Sequence, residues 1–259
     1  MELIGNKMSF ELDVSSYEKI EKLFISFKLK CDFKFRMIKG ISVLHFGYLW
    51  GACKEAQKIL EKNQKCEDLF ELIMKIYSKR CKNHQANFLL LQCYENALRS
   101  TLAVKIANLY NKLDDDWFKS SEEVSNPALK NLLKKVKKRC QKIDEYNSTW
   151  QIFDDFCLID LEEILIEHWS EFAYIFKDKK IYKNQVLPSF GTKEHLKTKL
   201  SQIRKARNET YHNKPTKIKF KKDLEILLLR LGYNLENAID IGEIKEAIVL
   251  RFSYNSASE

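Results

Sequence analysis

The sequence predicts an all-α protein, and three observations carry that prediction. Seven glycines and three prolines are few for 259 residues, which argues against turn-rich β-sandwiches and glycine-rich nucleotide folds. Apolar residues recur at intervals of three and four along most of the chain, the period of a helix burying one face. The periodic stretches are long and their connections short and polar, as in a helical bundle. A chain of this length can bury one large core or two modest ones.

In chain order, residues 1–14 open with a brief alternation, Phe10, Leu12 and Val14 against Ser9, Glu11 and Asp13, which fits a short edge strand or an extended leader. Three helices follow, at 17–30, 41–61 and 67–77. His45 lies in the second, between Leu44 and Phe46, where a hydrogen-bonded core histidine is expected. A long helix is predicted over 85–112, with Leu98, Leu102, Ile106, Leu109 and Leu113 on one face. It ends at Asp114-Asp115-Asp116-Trp117, which reads as a solvated connection rather than a metal site. A loop over 120–127 starts the next helix.

Residues 129–142 form a basic amphipathic helix. Leu129, Leu132, Leu133 and Val136 point inward, while Lys134, Lys135, Lys137, Lys138 and Arg139 cover the rest. Such a run is either a solvated face or a track for a phosphate backbone. A further helix is read over 155–176, with Leu158, Leu161, Leu165, Phe172 and Phe176 inside and His168 as a packed histidine. A basic loop over 177–187 and Pro188 to Gly191 lead into the helix that ends in 203–215. The helix over 220–231 is apolar almost all round, and a short one is read over 243–251 before a polar tail.

The formal net charge of +9 suggests an acidic partner such as nucleic acid, although a Lys- and Asn-rich codon bias gives the same excess. Seven cysteines, at 31, 53, 66, 81, 93, 140 and 157, show no paired spacing. That pattern reads as reduced thiols in a cytoplasmic protein, with no zinc site and no cofactor. The longest uncharged run, 40–53, is too short to span a bilayer.

The candidate site is Ile203-Arg204-Lys205-Ala206-Arg207-Asn208-Glu209-Thr210-Tyr211-His212-Asn213-Lys214-Pro215. On a helical wheel Arg207 continues the apolar stripe of Leu196, Leu200 and Ile203. A guanidinium there must be paired or must face a charged ligand. Asn208 and His212 are four apart and share the adjacent flank. Arg204, Lys205 and Lys214 surround them as candidate phosphate contacts. If the site is structural instead, Arg207 pairs with Glu163 or Glu167, and His212 is a cation favoured by the helix C-terminus.

Arg207-Asn208-Glu209-Thr210-Tyr211-His212, near the end of a helix and followed by an apolar helix, resembles the motif of the HEPN family. Tyr94-Glu95-Asn96-Ala97-Leu98-Arg99 through Asp116-Trp117 resembles that family's long first helix and its break. The resemblance spans roughly 84–235. It leaves 1–83 as an N-terminal helical region of unassigned role and 236–259 as a C-terminal helix and tail. It implies a HEPN-like helical bundle and a metal-independent endoribonuclease with a composite site at a homodimer interface. The implied role is that of a toxin or abortive-infection effector in phage defence, restrained by a protein or RNA antitoxin.

In that reading Arg207 neutralises the scissile phosphate. His212 moves the proton of the ribose 2′-OH or of the leaving oxygen. Asn208 orients the imidazole or contacts phosphate. Members regulated by tyrosine adenylylation carry Tyr two residues after the histidine, where this chain has Lys214. The alternatives are a non-catalytic RNA-binding or regulatory scaffold on the same fold, and a helical adaptor whose basic helix 129–142 binds an acidic partner.

Overall fold

The computed structural model describes residues 11–62, 66–111, 114–120 and 125–244. These residues form eleven α-helices and one two-stranded hairpin, an all-α architecture. The chain divides into two compact units, Met1–Gln85 and Ala86–Glu259. No helix among the described residues is long and apolar enough to cross a membrane.

The first unit contains α1 (Leu12–Leu23), α2 (Phe33–Val43), α3 (Phe46–Glu61) and the first part of α4 (Leu69–Tyr110). Its core joins Tyr17, Ile20 and Phe24 to Phe33, Met37, Leu49 and Ile73, with Ala52 and Ala56 letting helices approach closely. Of the expected opening strand, residues 1–10 lie outside the described residues, and Leu12 and Val14 belong to α1. The helix expected over 41–61 is interrupted at Leu44 and His45, both extended. Ser42 donates its hydroxyl to the Ile38 carbonyl at 3.0 Å, a back-bond that loosens a helix end. His45 is therefore not in the core. It is exposed at the start of α3, its ring edge-on to Tyr48 at 5.0 Å.

α4 fuses two helices that the sequence reading separated. No glycine or proline falls between 69 and 110, so nothing in the backbone compels a break near Ser78. On its second part Leu98, Leu102 and Ile106 are buried, whereas Leu109 is exposed; Leu113 lies outside the described residues.

The second unit adds α5 (Pro127–Arg139), α6 (Thr149–Asp154), α7 (Leu158–Glu167), α8 (Trp169–Lys177), α9 (Lys193–Tyr211), α10 (Lys221–Leu231) and α11 (Leu235–Asp240). α7 packs on α5 and α9, and α8 packs on α10. Asn126 caps α5 by accepting from the amides of Ala128 and Leu129, with Pro127 at the first helical position.

Asp115 is not simply solvated. Burial would raise its carboxyl, but hydrogen bonds from the Thr149 amide at 2.7 Å, the Thr149 hydroxyl and Asn111 hold it below the usual range. Thr149 also accepts from the buried Trp117 indole at 2.7 Å.

The helix expected over 155–176 breaks at His168 into α7 and α8. This buried imidazole meets the Ile164 carbonyl through Nδ1 and the Tyr110 hydroxyl through Nε2, both at 2.9 Å. Burial lowers its pKa. The basic stretch after α8 holds an unforeseen hairpin, β1 (Ile181–Tyr182) and β2 (Gln185–Val186), antiparallel with Ile181 opposite Val186. Lys183 and Asn184 turn it with positive φ, the geometry of a tight hairpin. The helix expected over 243–251 falls mostly outside the described residues; α11 precedes it, and Leu235, Ala238 and Ile244 join the second unit's core.

Arg230 on α10 is the strongest tie in this unit. It is 3% exposed and donates to the carbonyls of Pro188 (2.7 Å), Ile175 (2.9 Å), Leu187 (3.1 Å) and Asp178 (3.2 Å). The planar fork reaches four acceptors that an ammonium could not span together. Replacing it with methionine leaves those carbonyls unsatisfied, and chemical denaturation should register a loss of about 3–5 kcal/mol. Arg230→Lys should recover only a minor part of that loss.

Candidate functional site

α9 begins where Thr192 accepts from the His195 amide at 3.1 Å. It buries Leu196, Leu200, Ile203, Ala206 and Thr210. The inward place after Ile203 is thus taken by Ala206, and Arg207 sits one step round, at the lip of the stripe. The helix closes at His212. Asn213 follows with φ of 54°, a left-handed turn that asparagine tolerates. The Lys214 amide returns to the Glu209 carbonyl at 2.7 Å. Asn213 therefore makes the stop, and Pro215 only follows it.

Arg207 pairs with Glu95 of α4, not with Glu163 or Glu167. Its Nε and Nη2 both lie 3.1 Å from Glu95 Oε2, and its Cζ stands 3.9 Å from the centre of the Tyr211 ring. Glu95 is 13% exposed and Arg207 26%. Glu95 also meets Arg99 at 3.4 Å. Arg99 in turn donates to the carbonyls of Phe153 and, at 2.8 Å, Phe156. One carboxylate thus joins two guanidiniums, of which one ties down the end of α6 and the other presents the end of α9. Burial raises the Tyr211 phenol, Glu95 adds to this and Arg207 opposes it. Tyr211 also packs against Phe88, with ring centres 4.6 Å apart and planes tilted by 34°.

His212 and Asn208 are both exposed. The His212 amide donates to the Asn208 carbonyl at 3.1 Å, while its ring carries no side-chain hydrogen bond among the described residues. Arg207 is therefore held by its neighbours, and the His212 ring is open to solvent.

Arg204, expected as a phosphate contact, donates to Glu162 at 2.9 Å. Glu162 is 8% exposed, and its second oxygen has no partner among the described residues, like the nearby Tyr94 hydroxyl. Burial pushes the Glu162 carboxyl up to about 7, against the pull of Arg204.

The basic helix α5 is divided between two uses. Lys135 pairs with Glu163 and, at 3.6 Å, with Glu167, and Arg139 pairs with Asp160 at 2.8 Å. These two residues dock α5 on α7. Lys130, Lys134 and Lys138 form an exposed row at four-residue intervals, about 6 Å apart, and Lys137 is exposed beside them.

The basic surroundings of Arg204, Lys205 and Lys214 extend further along the chain than those three residues. Residues 193–222 contain eleven Lys and Arg against two acids, Glu194 and Glu209, so their excess equals the whole chain's +9. Of these, Lys197, Lys205, Lys214, Lys217 and Lys219 are exposed. Glu95, Tyr211 and Phe88 were missed as site residues. The available signals were spacings of four: Glu95 to Arg99 on α4, and Arg207 to Tyr211 on α9. Family models, curated proteins and solved structures contain no match to this chain.

Two stability measurements follow from this geometry. A double-mutant cycle with Glu95→Ala and Arg207→Ala should give a coupling of about 1–3 kcal/mol, and no coupling would mean the pair is not held in solution. Glu162→Gln tests the buried carboxyl. Because folding raises its pKa, the wild type loses stability as pH climbs from the ordinary carboxylate range through about 7. The variant lacks that loss, so it should gain on the wild type between pH 5 and pH 8 by something on the order of 2–3 kcal/mol.

Proposed function

We propose that this chain is a metal-independent endoribonuclease of the HEPN type, acting as a toxin or phage-defence effector in a homodimer. The observation that best supports this is the end of α9. An arginine anchored on one edge by Glu95 and backed by Tyr211 stays partly exposed, five residues before an exposed histidine.

The Glu95 contact uses Nε and Nη2 and leaves Nη1 for a phosphate oxygen, so the fork is oriented before substrate arrives. His212 takes the proton of a ribose 2′-OH. The 2′-oxygen then bonds to phosphorus as the bond to the 5′-oxygen breaks, and that oxygen leaves with a proton. The products are a 2′,3′-cyclic phosphate and a 5′-hydroxyl, and DNA lacks the nucleophile. A second copy supplies the other acid–base group. Exposed Lys205, Lys214 and the Lys130, Lys134, Lys138 row are the cations available to accompany an RNA backbone. Asn208, exposed beside His212, serves as a further phosphate contact.

The Arg207–Glu95 pair also gives weight to a second reading, an RNA-binding or regulatory scaffold without turnover, because a neutralised guanidinium has a structural role of its own. Incubation with single-stranded RNA in excess EDTA separates the two. The nuclease reading expects cleavage by the wild type, lowered by about 10²–10⁴-fold in His212→Ala and similarly in Arg207→Ala. Salt-sensitive RNA binding that survives His212→Ala, with RNA left intact by the wild type, selects the scaffold.

A further inference from the structure

Phe88 offers a partly open aromatic ring on α4. It is a large apolar side chain on α4 that keeps 37% of its surface exposed, although the same helix buries Leu90 and Leu91 just beyond it. Its ring is not idle. It stacks on Tyr211 with centres 4.6 Å apart and planes tilted by 34°, and the Arg207 guanidinium stands 3.9 Å from the Tyr211 ring centre. The group proposed to grip phosphate and a partly open aromatic ring thus both lie against Tyr211, in one pile of cation, phenol and phenyl.

We infer that Phe88, backed by Tyr211, is a nucleobase subsite that receives an unstacked base of single-stranded RNA beside the phosphate held by Arg207. The inference rests on the ribonuclease reading and names a substrate contact for it. Three features favour a base over an apolar peptide side chain. The pile includes a cation that suits a flanking phosphate. The stretch around Tyr211 is basic, with Lys205 and Lys214 exposed and Glu209 the one acid between them. An aromatic face next to such charges is the arrangement by which single strands are held irrespective of sequence, because every base has a π-face. Because Arg207 and Phe88 both touch Tyr211, the base on Phe88 belongs to a nucleotide near the scissile phosphate, and an RNA duplex, whose bases stay stacked, does not fit.

The test uses the full chain and a short 2′-O-methyl oligouridylate, which binds but cannot be cut, with one 2-aminopurine moved along its positions. Fluorescence and affinity are measured for the wild type, Phe88→Leu, Phe88→Tyr and Arg207→Ala. The expected result is quenching of 2-aminopurine at one or two positions by the wild type and Phe88→Tyr. Phe88→Leu, which keeps apolar bulk without a ring face, should lose that quenching and about tenfold in affinity. Its salt dependence should stay unchanged, while Arg207→Ala should lower the salt slope by about 0.7. Quenching and affinity in Phe88→Leu equal to the wild type would overturn the subsite, whether or not unmodified RNA is cleaved. Phe88-dependent quenching without cleavage of unmodified RNA keeps the subsite and removes the nuclease. Absence of oligonucleotide binding overturns both.

Discussion

Glu95 is the constraint on which the ends of α9 and α6 depend. A mostly buried carboxylate is costly unless its charge is matched, and α4 supplies Arg99 one turn on while α9 supplies Arg207. Arg99 then closes the open carbonyls at the end of α6. Arg207 uses its other face against Tyr211. The position of α9's last two turns is therefore set by a charge relay as well as by its apolar stripe. The same logic recurs twice in smaller form: Glu162 with Arg204 ties α7 to α9, and Asp160, Glu163 and Glu167 take up Arg139 and Lys135 of α5.

This pattern explains which parts of the molecule were legible in sequence. The helical class, the inward faces of α5 and α9, and the apolar α10 follow from the spacing of Leu, Ile and Val, a local property. What depended on partners distant in sequence was not legible. Arg207 read as part of the stripe, but Glu95 lies 112 residues away, and no local rule chooses it over Glu163 or Glu167. The break at Leu44 and His45 has no glycine or proline at either position to mark it, and the hairpin at 181–186 turns on two residues with positive φ, a lysine among them, which no glycine announces. Conversely, the expected break before α4's second part was read into a stretch that contains no helix breaker at all.

Charge behaves in the same way. The +9 balance suggested an anionic partner but gave it no address. Its concentration in 193–222, together with the docking use of Lys135 and Arg139, leaves exposed cations along α9 and the segment after it and along one row of α5. Several residues singled out as RNA contacts in the sequence, Arg204, Lys135 and Arg139 among them, hold helices together instead. An arginine oriented by a mostly buried carboxylate, an exposed histidine and exposed lysines compose the proposed ribonuclease centre.

The chemistry of the cut ends tests that centre most directly. RNA incubated with the purified chain in EDTA and sequenced from both termini should carry 2′,3′-cyclic phosphate on one side of each cut and 5′-hydroxyl on the other. Fragments ending in 3′-hydroxyl and 5′-phosphate, or RNA left whole, would contradict the account.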